Sequence, residues 1–420
     1  MSKIVIEGKR VLSGEIRVDG AKNSVVGLIP AAVLCGDKVK LTNVPNISDV
    51  EALSEILVSL GVDVKRDKVN NIMEIDSSNM INKEIPEKFA SKLRASYYFM
   101  GALLGKYRKV NICFPGGCSI GERPINFHIK GFEKLGASVL EDDGNFSIVA
   151  DKLIGDEIFF DVPSVGATIN IMLAAVLASG KTVIDNAAME PEVVDIAIFL
   201  NEMGANIKGI GTPKIEIIGV NKLHGVEHAV IPDRLEAGTY VIIASLLGRD
   251  LTVSGLIPSH IESLTSKLEE AGVKLAVGKN FVRVDEVGSY KAIDVMTRAY
   301  PGYPTDLQQP MIPFLTQCEG ISHMEETIYE NRFMNIPDTV KMGASIIVSS
   351  DNKMATISGK TDFIGQDVVA TDLRGGASMV ICGLLADGVT TISNVEHILR
   401  GYQDIVGKLI KVGANIRVVD

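Results

Sequence analysis

Two hydrophobic patterns take turns along the chain. The first is apolar on almost every side, as in "VVGLIPAAVLCG", "SYYFMGALLGK", "TINIMLAAVLASG" and "GGASMVICGLLADG". A helix without a polar face buries most of its circumference, so these runs predict internal helices. The second is amphipathic and ends in a small-residue signature: "ILVSLGVDV", "FEKLGASV", "FLNEMGANI", "KLEEAGVKL", "TVKMGASII" and "KLIKVGANI". It predicts a half-buried helix that stops at a glycine and hands over to a strand. β-branched runs such as "KVKLTNV", "KTVIDNA", "DLTVSGL" and "TTISNV" lie between the two patterns and predict a strand there.

The signature glycines are Gly61, Gly136, Gly204, Gly272, Gly343 and Gly413, a repeat of about 70 residues. Each suits the position just past a helix end, where left-handed backbone is needed. The repeated unit reads helix, strand, helix, strand, strand. The N-terminus enters partway through a unit: "KIVIEGKRVLSGEIRV" at 3–18 aligns with "KIEIIGVNKLHGVEHAV" at 214–230. The sixth unit ends at "NIRVVD" without its final strand, which the first residues can supply. This predicts an α/β fold of six units in two domains, 22–230 and 1–21 plus 231–420, with a ligand cleft between them.

Composition narrows the function. A chain of 420 residues, 46% hydrophobic and 22% charged, has the apolar content to bury large cores. Its net charge of −10 argues against general nucleic-acid or membrane-surface binding, so an anion site here must gather its cations locally. Neither a leader pattern nor an apolar stretch of ~18 residues occurs, so no membrane insertion is expected. The cysteines are Cys35, Cys113, Cys118, Cys318 and Cys382, an odd set without C-x-x-C spacing. That indicates neither a disulfide framework nor a zinc site, and it suits a reducing cytoplasm. All but Cys118 lie in or beside apolar runs and read as core.

Cys118 stands apart in "FPGGCSIGERPINFHIKGFEKLGA". Nearby cations and a helix N-terminus lower a thiol pKa, and Arg123 is close. Pro124 suits the first helical position, with Ile125, Ile129, Phe132 and Leu135 then at helical spacing. Cys118 is either a reactive thiol on a glycine loop or an incidental turn cysteine. Lys22 and Asn23 in "VDGAKNSVVGLIP" stand at the mouth of an internal helix, as a phosphate-binding point charge or as a solvated helix start. Arg94, Arg234 and Arg374 hold the same place in their units, whereas Arg400, like Arg123, begins a second helix. Cations at helix starts oppose the macrodipole, so an anionic ligand would explain them; the alternative pairs Arg234 with Asp233 and Arg374 with Asp372. Asp306 in "PGYPTDLQQPMIP" is a general base, or else it or Thr305 is an N-cap. Glu190 and Glu192 read as structural, and His128 as a helix-surface residue. No Ser-His-Asp constellation, phosphate-binding P-loop or metal cluster is present in the pattern.

"GAKNS", "LRASYYFMG", "PGGCSIGERP", "PSVGATIN", "EPEVVD", "YPTDLQQP", "YENRFMN", "ATDLRGGAS" and "LRGYQDIVGKL" span the chain. Together they resemble the UDP-N-acetylglucosamine 1-carboxyvinyltransferase family of the EPSP synthase-like superfamily. The resemblance implies two inside-out α/β barrel domains of three βαβαββ-type repeats each. It implies transfer of the enolpyruvyl group of phosphoenolpyruvate to the 3′-hydroxyl of UDP-N-acetylglucosamine, with release of phosphate, at the start of peptidoglycan synthesis. No cofactor or metal is implied. Cys118 would form a pyruvate adduct and act as proton donor, and would be alkylated by fosfomycin. Lys22, Arg123 and Arg400 would surround phosphate and carboxylate, with Asn23 beside them. Asp306 would take the hydroxyl proton. Arg94, Arg123, Pro124, Ile125, Asn126, Phe127, Ser164, Val165 and Ile328 would contact the nucleotide sugar, and Asp372 and Arg374 would lie at a closing interface. Met189, Glu122 and Asn126 depart from common family residues without removing a catalytic group. A non-catalytic UDP-sugar-binding paralogue and the sister enzyme acting on shikimate 3-phosphate are the rival readings.

Overall fold

The computed structural model describes residues 2–90, 93–113, 124–142 and 144–419; Cys118 and Arg123 lie outside the described residues. Contacts divide the chain into two compact units. One takes Met1–Asp19 and Pro232–Asp420, the other the described residues from Gly20 to Ile231. Among the described residues there are six sheets, three to a unit.

Every sheet follows one formula, as the third repeat illustrates. Glu157–Phe159 runs parallel to Lys181–Asp185, which pairs antiparallel with Lys214–Ile218, which pairs antiparallel with Asn206–Lys208. The helix Val165–Ala175 connects the parallel strands, as a parallel pair requires, and Pro191–Glu202 leads from Lys181–Asp185 to Asn206–Lys208. In the second repeat the parallel strand shrinks to a single bridge, Ile85 to Ile112.

The N-terminus closes the series. Lys3–Glu7 lies antiparallel between Val389–Ser393 and Asn415–Val419, supplying the strand that the sixth repeat lacks. Ile4 and Ile6 are fully buried on one face of it, and a one-residue slip would turn both to solvent. Leu12–Arg17 then runs parallel to Gly248–Ser254 and opens the fourth repeat, just as Glu227–Ala229 runs parallel to Lys38–Thr42 and opens the first. The aligned segments 3–18 and 214–230 therefore do the same work at opposite points of the chain.

The apolar runs are internal helices: Lys22–Ala32, Tyr98–Tyr107 and Val165–Ala175 in one unit, and Arg234–Leu247, Gln308–Leu315 and Leu373–Leu385 in the other. In the second set each helix packs on both others. In the first, Tyr98–Tyr107 packs on both neighbours, and Gly101 permits it, because a Cβ there would lie 2.3 Å from the Asn170 carbonyl oxygen. The strands show alternating burial, so helices fill the inside of each unit and sheets cover it. All six signature glycines have positive φ, from 82° at Gly61 to 114° at Gly343, so the helix stops expected from the sequence are present. No described helix is long and apolar enough to cross a membrane.

Candidate active site

The fifth repeat presents its chemistry at the start of an internal helix. The 3₁₀ turn Thr305–Leu307 leads into Gln308–Leu315, with Pro304 rather than Thr305 or Asp306 at the cap position and no side-chain cap bond. The N-cap expectation for these two residues is therefore not met. The Asp306 carboxylate instead accepts from Arg332 Nη2 at 2.6 Å and Arg374 Nη2 at 3.4 Å. Both guanidinium side chains are 3% exposed, whereas that of Asp306 is 27% exposed and so open to a ligand. Burial pushes the Asp306 pKa up, but the charges of Arg332, Arg374 and Arg234 outweigh it and hold the carboxyl well below the usual range. It is an anion at any physiological pH.

The acids beside the arginines have another task. Asp372 accepts the backbone N–H groups of Arg374 and Gly375, and Asp233 those of Leu235 and Glu236. Each is an N-cap, which offsets the cost of a cation in the first turn. Arg374 thus reaches outward to Asp306 and to Tyr402, whose hydroxyl it bonds at 2.8 Å while Thr239 lies 2.9 Å away. Arg234 lies over the Tyr300 ring at 5.6 Å. Arg400 does not begin a second helix: it caps the C-terminal end of Glu396–Leu399, ahead of the longer helix Ile405–Lys411. Ile328, 40% exposed, belongs to the same unit.

In the other unit Lys22 is the first residue of its helix and pairs with Asp49 at 2.8 Å, the lysine side chain being 13% exposed. It is not a solvated helix start. Asn23 is half-buried beside it, and Ser24 is fully buried and donates to Asp195. Asp195 also meets His228 Nε2 at 3.0 Å, and His228 Nδ1 meets Glu202 at 2.7 Å. Burial lowers the His228 pKa, yet the two carboxylates together raise it, so the imidazolium form is favoured.

Arg94 opens the 3₁₀ turn Arg94–Tyr97 and lies over the Tyr97 ring at 5.8 Å. Tyr97 meets His128 edge-on at 5.0 Å. His128 is buried, not on the helix surface as its sequence position suggested: it faces inward from Asn126–Lys134 and takes a 2.9 Å hydrogen bond from Asn170. Burial, with the charge of Arg94, lowers its pKa to about 3, so it is neutral. That helix begins at Asn126 with Ile125 as cap, so Pro124 precedes the cap instead of taking the first helical position. Ile125 is buried, Asn126 and Pro124 are exposed, and Phe127 packs on Phe160 at 5.7 Å. Ser164 caps Val165–Ala175 by accepting from the Ala167 N–H.

Cations therefore stand in or just ahead of the first turn of four of the six internal helices: Lys22, Arg94, Arg234 and Arg374. The structure adds Arg332 and Tyr402, which the sequence reading did not single out. Arg332 sits in the quoted "YENRFMN" and Tyr402 in "LRGYQD", but no local spacing ties either to Asp306 or Arg374.

A partly exposed carboxylate clamped by two buried arginines makes a charged site open to a polar ligand. A family model described as EPSP synthase (3-phosphoshikimate 1-carboxyvinyltransferase) matches residues 6–409, and the chain belongs to this family of carboxyvinyltransferases. Within it, the chain is 50% identical over 414 residues to UDP-N-acetylglucosamine 1-carboxyvinyltransferase 2 of Listeria monocytogenes, covering 99% of this chain and 97% of the relative. It is likewise 50% identical over 416 residues to the protein of the same name from Bacillus anthracis, covering 99% and 96%. Among solved structures, the enolpyruvyl transferase NikO from Streptomyces tendae superposes with a TM-score of 0.90 at 25% identity, over 100% of this chain and 99% of that one. EPSP synthase from Acinetobacter baumannii shares the fold, with a TM-score of 0.77 at 18% identity over the full length of both.

Proposed function

We propose that this protein transfers the enolpyruvyl group of phosphoenolpyruvate to the 3′-hydroxyl of UDP-N-acetylglucosamine and releases phosphate, in the bacterial cytoplasm, as the entry to peptidoglycan synthesis. The end-to-end identity of 50% to relatives bearing that activity's name carries the reading. The Asp306–Arg332–Arg374 cluster supports it independently.

The chemistry follows from the residue types. Lys22, Arg123 and Arg400 take the phosphate and carboxylate charges of phosphoenolpyruvate, with Asn23 beside them; arginine offers a two-pronged fork and lysine a point charge. Cys118 gives its thiol proton to the methylene carbon; its thiolate can add to the adjacent carbon as a pyruvate adduct, and that C–S bond breaks again before the sugar attacks. The hydroxyl oxygen of the sugar attacks the adjacent carbon as Asp306 takes the hydroxyl proton. Loss of a methyl proton then expels phosphate and restores the double bond. Arg94, Arg123, Pro124, Ile125, Asn126, Phe127, Ser164, Val165 and Ile328 hold the nucleotide sugar. Asp372 orients Arg374 by capping its helix.

A carboxylate held this far below its usual pKa is a weak base, and efficient bases titrate near working pH. The bound substrate anion resolves this. Its charge beside the cluster offsets part of the guanidinium field, so Asp306 regains basicity while Arg332 and Arg374 stay in place. Proton transfer is thereby tied to the presence of substrate. No organic cofactor enters this scheme.

Phosphate release is the test. Release from phosphoenolpyruvate that depends on UDP-N-acetylglucosamine supports the reading. Release with shikimate 3-phosphate in its place, or nucleotide-sugar binding by folded protein without turnover, overturns it. Fosfomycin is expected to block the reaction by alkylating Cys118.

A further inference from the structure

Glu326 follows the strand Cys318–Glu325 and is 2% exposed, yet no role falls to it in the chemistry above. A buried carboxylate is costly unless its oxygens are filled with hydrogen bonds. Here they are filled by two different parts of the site. Oε1 accepts from Thr297 Oγ1 at 2.9 Å and from the backbone N–H groups of Ile328 at 2.8 Å and Tyr329 at 3.1 Å. Oε2 accepts from Thr305 Oγ1 at 2.7 Å.

The second contact has a directional consequence. A threonine hydroxyl has one proton, and a carboxylate can only accept it. With that proton committed to Glu326, the Thr305 oxygen must act as an acceptor on its other side, where Arg332 Nη1 donates at 3.2 Å. The same guanidinium donates through Nη2 to Asp306. Arg332 is thus held at two points, one of them set by Glu326. The other charged groups around this pair are Arg374 and Arg234 toward Asp306, and Asp372 with the Tyr329 phenol toward Arg332.

We propose that Glu326 is a positioning residue for the transfer reaction: through Thr305 it aims Arg332 at Asp306, and through separate bonds it shapes the segment carrying Ile328. The inference rests on the reading of the site given above. The two branches separate cleanly. In Glu326→Gln the backbone N–H groups cannot reverse, so the amide oxygen takes the Oε1 place and the amide nitrogen turns to Thr305. The Ile328 branch survives, while the bond to Thr305 is reversed. Thr305→Val removes the same branch from the other side, and Thr305→Ser keeps it.

Steady-state kinetics on the full chain decides. Glu326→Gln and Thr305→Val are each expected to lower kcat about ten-fold, the scale of a hydrogen bond to a charged group. KM for UDP-N-acetylglucosamine should stay near wild type, and the double variant should be no worse than either single one. Thr305→Ser should restore turnover, and Glu326→Ala should add a rise in KM. Thermal unfolding midpoints establish that each variant is folded; Glu326→Gln and Thr305→Val carry the test if the alanine variant is not. An active wild type with Thr305→Val at full kcat, or additive losses in the double variant, overturns the inference alone. A folded wild type without transfer activity overturns the reading of the site and this inference with it.

Discussion

Asp306 and Asp195 are both carboxylates in interior networks, one in each unit, and they are built differently. Asp195 is 2% exposed and is sealed by Ser24 and His228, neither of which can leave without unpacking the unit. Asp306 keeps 27% of its side chain open and is held by Arg332 and Arg374, whose charges a ligand anion can offset. A sealed network stabilises the fold. An accessible one with competing cations can change state when substrate arrives.

That contrast is broken most directly by exchanging stability for rate. Asp306→Asn is expected to lower kcat by about 10²–10⁴-fold, the usual contribution of a positioned base. Its urea midpoint should fall less than that of Asp195→Ala, because the asparagine amide oxygen can still accept from Arg332 and the site is partly open to water. Asp195→Ala should do the reverse. It leaves Ser24 without its acceptor and His228 with Glu202 alone, and costs about 3 kcal/mol in urea unfolding, with a far smaller change in kcat for the folded fraction. A stable Asp195→Ala that is inactive would erase the distinction.

The two buried histidines of the Gly20–Ile231 unit sharpen the comparison with pH. The folded pKa of His228 is raised, so its stabilisation is complete below the unfolded value of about 6.5 and is lost as pH rises above that. Replacing His228 with Gln should flatten the alkaline fall in urea midpoint. His128 is the opposite case: its folded pKa of about 3 means that stability present above about 6.5 is lost as pH falls toward 3. Replacing His128 with Asn should flatten the acid limb instead. Urea midpoints between pH 4 and pH 9 read both slopes.

The smallest expected effect is a control on the thiols. Fosfomycin should label Cys118 and leave Cys318 and Cys382 unmodified, since burial pushes the Cys318 thiol up to about 12 and the Cys382 thiol higher still. Peptide mass spectrometry locates the adduct, and an adduct on Cys318 would refute the assignment.

Much of the fold was legible because burial is periodic. All-round apolar runs can only be interior, and a glycine after an amphipathic helix marks a left-handed stop, so six repeats follow from the chain alone. The missing sixth strand could be inferred from Lys3–Glu7 because strands come in sets and one set was short. The site was legible only in part. Lys22, Arg94, Arg234 and Arg374 stand out because cations at helix starts contradict the macrodipole. Their partners do not stand out. Asp372 looked like the counterion of Arg374 and is its backbone cap, while the counterion is Asp306, 68 residues away. His128 looked exposed because a polar residue early in an amphipathic helix usually is, and Asn170 from another helix overturns that by filling its ring nitrogen.

The amino-acid sequence by itself determined the repeat, its closure through the N-terminus, and which residue types stand at the mouths of the internal helices. These follow from short-range rules: periodicity, turn chemistry and the sign of a charge at a helix end. Only the tertiary structure decided which charge meets which. Arg332 reaches Asp306 from 26 residues away, and Glu326 reaches Thr305 from 21. A hydrogen bond needs a donor and an acceptor within about 3 Å and imposes no period on the chain. Ion pairs and buried networks are therefore settled by packing, after the helices and strands are in place.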